Sequence, residues 1–260
     1  MALLNDGLKQ HLIDSLRKGI RYDGRVLDAY RPIMIERDVT RNAEGSARVK
    51  LGDTEVIAGI KLMVGQPYAD SPEDGNLVVG VELSPLASPD FELGPPSIEA
   101  IELARVIDRG IRESKAIDSK KLCITASEKV WVVSIDVCIV NHDGNLLDAC
   151  ALATLAALQD THFPKYDGDK VDYSERTTKK LELKKLPLLV TVYKTGDNLF
   201  IDPTPEEEMC YDAKLSVTTV QNGDICALQK GGEKPITQDD INKMTDLALA
   251  KAKEMRKLLK

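Results

Sequence analysis

The stretch KVWVVSIDVCIVNHDGNLLDACALATLAALQD, residues 129–160, decides the fold. Its first part, Lys129 to Asn141, is β-rich and nearly continuous in apolar residues, which predicts a long strand buried on both faces. A turn at Asp143-Gly144 follows, then an Ala/Leu-rich helix from Leu146 to Gln159. A strand that feeds such a helix through a Gly turn is a helix-on-sheet unit, so the class is α+β, or α/β with a mixed sheet. Many phosphate sites begin in this way, because free N–H groups and a partial positive charge meet at a helix N-terminus. Here Asn145 reads as an N-cap, and Asp148, three residues on, is placed to reach back to it. Leu146 and Leu147 stand where a phosphate site would want Arg or Ser. The residues favour a self-capped packing helix over an anion site.

Toward the N-terminus, Leu4, Leu8, Leu12 and Leu16 mark one helix face, closed by Lys18-Gly19. A charged loop, GIRYDGR, leads to a strand, and GSARVKLGDTEVIAGIKLMVG reads as a hairpin around Gly52-Asp53-Thr54. GNLVVGVELSPL is another strand, SPDFELGPP a Pro-containing loop, Ser97 to Ser114 a helix and KLCITA a short strand. Toward the C-terminus, the polar residues 161–185 read as a linker. Beyond it PLLVTVYK, NLFIDP, AKLSVTTVQ and DICALQK read as strands, and a last helix opens at Thr237 with Asp240 as its capping partner. The expected organisation is an N-terminal half, 1–160, and a C-terminal half, 186–260, joined by 161–185.

The chain has 260 residues, 43% hydrophobic and 30% charged, with a net charge of −7. That describes an ordinary globular protein and argues against nucleic-acid binding over the whole surface, while permitting a local basic patch. No apolar run reaches the ~18 residues of a membrane span, and the amphipathic, acid-containing N-terminus does not read as a signal or transit peptide. The five cysteines are scattered and form no CxxC, so they read as reduced core residues of a cytoplasmic protein. No GxSxG, HExxH, P-loop or GxGxxG occurs, and the three histidines lie far apart.

Two features could carry function. Asp202, Glu206, Glu207, Glu208 and Asp212 fall on one segment, which could hold Mg²⁺ or supply a general acid, or simply be a solvated acidic loop. In the helix SIEAIELARVIDRGIRESK, Ile101, Ala104, Ile107 and Ile111 form an apolar stripe, with Arg105, Arg109 and Arg112 beside it. Three guanidiniums on one face suit an RNA backbone, and Arg21 and Arg25 could extend the track. The same arginines could instead make i,i+4 pairs, Asp108 with Arg112 for example, at ~0.2–0.5 kcal/mol each. One Trp and three Phe leave little for aromatic stacking platforms.

Taken together, GIRYDGR and the hairpin after it, IELARVIDRGIRES, the strand–turn–helix and LFIDPTPEEEMCYDAKLSV resemble the RNase PH family, in order and over nearly the whole chain. The resemblance implies an RNase PH-like fold (ribosomal protein S5 domain 2-like) with mixed sheets and packed helices. Within the family the sequence is most similar to the non-catalytic ring subunits of archaeal exosome cores. In active members the Gly turn is followed by a small hydroxyl residue and an Arg that hold the attacking phosphate; the matching positions are Asn145 and Leu146, a degenerate phosphate site. Active members carry an Arg pair before the central helix, where this chain has Pro95-Pro96, and two Asp in the acidic strand, matched by Glu208 and Lys214.

The resemblance therefore implies a chain with no catalytic residue, metal or cofactor of its own. It implies a catalytic RNase PH-like partner in a hetero-hexameric ring of three pairs, RNA held by Arg105, Arg109 and Arg112, cap proteins with S1 or KH domains, and no membrane. Two alternatives stay open: an active 3′–5′ phosphorolytic exoribonuclease with an acidic Mg²⁺ site, and a small-ligand binding protein that shares the fold.

Overall fold

A computed structural model describes residues 6–259. Helix α1 (Asp6–Arg17) precedes strands β1 (Ile33–Arg37), β2 (Gly45–Leu51), β3 (Thr54–Gly65) and β4 (Asn76–Leu83). Helix α2 (Ile98–Ser114), short strand β5 (Cys123–Thr125), long strand β6 (Lys129–Asn141) and helix α3 (Leu146–Asp160) complete the first half. Then come β7 (His162–Tyr166), β8 (Val171–Lys180), β9 (Leu188–Thr195), β10 (Asn198–Ile201), the one-turn helix α4 (Pro205–Glu208), β11 (Ala213–Thr219), β12 (Ile225–Gly231) and α5 (Gln238–Met255).

The first sheet runs β1-β2-β3-β6-β4, with β5 also on β6; β4 is parallel to β6 and the other pairs are antiparallel. The second is antiparallel, in the order β10-β9-β11-β12. Between them lies α3, which packs on β2 and β3 on one side and on β9 on the other. Its residues are buried from Leu146 through Leu158, Ala151 alone being half-buried. A helix apolar on every side belongs inside a core, and its alanines let both sheets approach. One hydrophobic core consequently runs through both halves, from Val49 and Ile135 through Leu152 to Val190 and Val217.

Strand β6 departs from expectation. Val133, Ile135, Val137 and Ile139 are buried, whereas Ser134, Cys138 and Val140 are half-buried and Asp136 is exposed. Only one face is covered; Ser134 and Asp136 mark the open face, and its apolar residues hid the period-2 signal. Residues 161–185 are not a bare linker either: β7 and β8 pair as an antiparallel hairpin. In α2 the buried face is Ala100, Leu103, Val106, Ile107, Gly110 and Ile111, while Ile101 is exposed. Of the α1 leucines, Leu12 and Leu16 are buried against Tyr193, Phe200 and Cys210, Leu8 is exposed, and Leu4 lies outside the described residues. All five cysteines are free thiols, Cys150 and Cys210 buried and the others half-buried. The capping box of α5 forms as read: Thr237 Oγ1 accepts from Asp240 N–H and the Asp240 carboxylate from Thr237 N–H.

Candidate functional site: a degenerate phosphate cleft and an arginine face

The turn from β6 to α3 folds more tightly than a capped helix start. Gly144 (φ +83°) and Asn145 (φ +53°) both adopt left-handed backbone, which Gly accepts freely and Asn tolerates. A Cβ on Gly144 would collide with the Pro203 carbonyl, so the turn sits directly against the segment leading into α4. The left-handed Asn145 makes no side-chain cap. Its amide Nδ2 donates instead to Asp148 Oδ2 (3.3 Å) and Asp202 Oδ1 (3.1 Å), and its backbone N–H to Glu208 Oε1 (2.8 Å). Asn145 is thus the N-cap residue and meets Asp148 as read from the sequence, but its side chain caps no helix N–H. Asp148 faces inward, accepting from Tyr30 Oη (2.7 Å) and Thr191 N–H (2.8 Å). Burial raises its pKa to about 7 against these hydrogen bonds.

In front of the turn opens a cleft of about 730 Å³, walled by Leu146 and Leu147 from α3, Glu99 and Glu102 from α2, Glu206 and Glu208 from α4, and Lys214 from β11. Asn145 and Leu146 are thus brought together with Glu208 and Lys214 from a distant segment of the chain. The electrostatics are wrong for inorganic phosphate. Four glutamates and Asp90 face one lysine, and the side chain beyond the turn is a leucine, which donates no hydrogen bond. Burial pushes Glu208 up to about 7 and Glu99 upward, and holds His142 below its ordinary value. Phosphorolysis requires the anion to be positioned for in-line attack with its charge neutralised; this cleft offers repulsion and apolar wall.

The acidic segment does not converge on a metal. Asp202 is fully buried and binds Arg25 Nη1 (2.7 Å), Arg31 Nη2 (2.7 Å) and the Arg31 N–H (2.7 Å). Glu207 takes a bidentate pair from buried Arg21 (2.6 and 3.0 Å), and Asp212 pairs with Lys234. Only Glu206 and Glu208 reach the cleft. Among the described residues no group of three His, Cys, Asp or Glu is placed to hold a metal ion. Arg21 and Arg25 are thereby removed from any RNA track: they are counterions of buried carboxylates. Arg31 and Tyr30 were missed from the sequence. The signal that could have found them is the match between three arginines at 21, 25 and 31 and an acidic segment enclosed by β-rich runs.

Arg105, Arg109 and Arg112 are all exposed on α2. They begin one turn beyond Glu102 of the cleft wall and span about 10 Å of helix. Arg112 pairs with Asp108 (2.7 and 3.1 Å) and donates to Leu77 O (3.2 Å), so the local pairing read from the sequence does form there. Arg109 reaches Gln229 Oε1 on β12 (3.3 Å). Arg105 has no carboxylate partner among the described residues. Among the described residues the face therefore presents Arg105 and Arg109 without an ion-pair partner, beside a paired Arg112.

Residues 29–164 match the family model described as "3' exoribonuclease family, domain 1", and residues 185–251 match domain 2 of the same family. The chain belongs to the 3′ exoribonuclease (RNase PH) family. It is 44% identical to the Exosome complex component Rrp42 of Methanopyrus kandleri, over 97% of this chain and 96% of that one, and 45% identical to that of Pyrococcus abyssi, over 97% and 93%. A solved structure described as the Archaeoglobus fulgidus exosome with RNA bound to the active site contains a chain 42% identical, with a TM-score of 0.90 and 98% of each chain covered. The RNase PH-like fold expected from the sequence is the observed one.

Proposed function

We propose that this chain is a non-catalytic, RNA-binding ring subunit of an archaeal-type exosome core. Paired with a catalytic RNase PH-like subunit, it forms a hetero-hexameric ring of three pairs, in the cytoplasm, beneath cap proteins bearing S1 or KH domains. The partner degrades RNA 3′ to 5′ by phosphorolysis, and Arg105, Arg109 and Arg112 of this chain hold the RNA backbone. The observation that carries the reading is the start of α3: Asn145 is turned inward and Leu146 faces a cleft of glutamates, at the positions that the family resemblance matches to the phosphate site of active members. The names of the relatives, exosome components at 44–45% identity, support the assembly. No helix among the described residues is long and apolar enough to cross a membrane.

The test is a phosphorolysis assay on the chain alone and on the chain co-purified with its catalytic partner. Single-stranded RNA and inorganic phosphate are added, and nucleoside diphosphates are counted. Release is expected only with the partner; release by the chain alone would refute the assignment. The native mass of the co-purified complex checks the three-pair ring.

A further inference from the structure

A second cleft, of about 500 Å³, opens at the far end of α2 from the glutamate-lined one. Its cations come from separate elements: Arg112 from α2, Lys115 from the helix cap, Lys120 from the 3₁₀ turn Ser119–Leu122, and Lys184 before β9. Against these four stand Asp74 and Asp118 in the lining and Asp108, which pairs Arg112 from α2, leaving +4 − 3 = +1 in a chain of net −7. Asp118 is held by Lys184 (2.6 Å) and Asp74 accepts from Ser119 Oγ (2.8 Å). Lys115 and Lys120 have no ion-pair partner among the described residues.

The cleft also holds Tyr68, which is 59% exposed although it lies on an anchored loop. Asn76 Nδ2 closes the base of that loop on Gln66 O (3.0 Å), and Gly75 N–H bonds Ser119 O (2.9 Å). Gly75 passes so near Leu122 and the Trp131 carbonyl that no side chain fits there. The Tyr68 ring is thus presented to solvent from a fixed base, among lysines, at the end of the arginine face.

We propose that this cleft binds one nucleotide unit of single-stranded RNA, with the base stacked on Tyr68 and the flanking phosphates on Lys115, Lys120 and Arg112. The inference rests on the RNA-binding role proposed above and extends it, Arg112 belonging to both the helix face and the cleft. An acidic peptide would use the lysines but has no need of an exposed aromatic ring. Base–aromatic stacking combined with a cationic groove is how sequence-tolerant single-strand sites are built.

The experiment uses the full chain, alone and in the ring with its partner, and a single-stranded RNA carrying 4-thiouridine. Photo-crosslinked products are mapped by mass spectrometry, and affinity is read by fluorescence anisotropy across a salt series. Crosslinks at Tyr68 are expected. Tyr68→Ala should weaken binding about tenfold, and Tyr68→Phe should restore it. Lys115→Gln with Lys120→Gln should lower the salt slope by about 1.4, at ~0.7 per phosphate contact. Each variant's melting temperature confirms that it is folded. Affinity within twofold of the parent in both cleft variants, with no crosslink at Tyr68, overturns the inference while leaving the helix face intact, provided Arg105→Glu with Arg109→Glu still weakens binding. If those arginine changes also have no effect, the RNA-binding role itself fails.

Discussion

Asp202 allows the sharpest test of how the site is framed. Replacement by Asn keeps the size and the tolerance for left-handed backbone, which this residue uses (φ +50°), but removes the charge that faces Arg25 and Arg31. Both guanidiniums are largely buried, their side chains 15% and 10% exposed. Removing one partner of a buried pair costs about 3–5 kcal/mol. The lower end applies, because Arg25 keeps Asp23 (2.6 Å) and Arg31 keeps Asp143 (2.8 Å). A loss of about 3 kcal/mol in a chain of this size lowers Tm by roughly 6–12 °C. The assay is differential scanning fluorimetry of the parent, D202N and a control, Asp212→Asn, whose Lys234 partner is exposed and whose loss should stay under ~1 kcal/mol. If D202N melted within about 2 °C of the parent, the carboxylate would not be neutralising these arginines, and the acidic segment would again be open to a metal role.

Asp148 and Glu208, both raised to about 7 by burial, are protonated in the fold and ionised in the unfolded chain between their ordinary range and pH 7. Their stabilisation is therefore full below about pH 4 and is lost as pH rises toward 7. Asp148→Asn and Glu208→Gln should each flatten the fall in Tm between pH 5 and 8; parallel curves for parent and variants would contradict this. Asn145→Ser with Leu146→Arg should leave phosphorolysis at zero in the isolated chain, because it leaves Pro95-Pro96 and Lys214, which the family resemblance matches to an Arg pair and an Asp of active members. Turnover measured as ADP release from oligo(A) would show the acidic strand to be competent. Arg109→Glu should weaken RNA binding by the assembled ring and shrink its salt slope by about 0.7 or more, since a phosphate contact becomes a repulsion; an unchanged slope would take Arg109 off the RNA.

Local patterns carried most of the fold. Thr237 and Asp240 announced the last helix because a capping box is satisfied within four residues. The Ala-rich run 149–157 announced a packed helix because Thr154 is its one polar residue. What failed depended on distant partners. Asn145 was read as a cap because the reading stopped at Asp148; its other ligand, Asp202, lies 57 residues away. Arg21 and Arg25 looked like free cations because Glu207 and Asp202 are more than 170 residues away. The hairpin β7–β8 is polar on most of its surface and lacks the alternation that marks a strand half-sunk in a core. The apolar wall of the cleft was legible, since the Leu146 side chain carries no hydrogen-bond donor.

Because α3 gives one flank to each sheet, neither half owns its own interior. A polypeptide ending near residue 185 would bare the flank of α3 that β9 normally covers, and one beginning there would lose the helix on which β9 packs. The shared helix is expected to make both halves melt together, and a newly synthesised chain would hold its most apolar helix uncovered on one flank until β9 emerges.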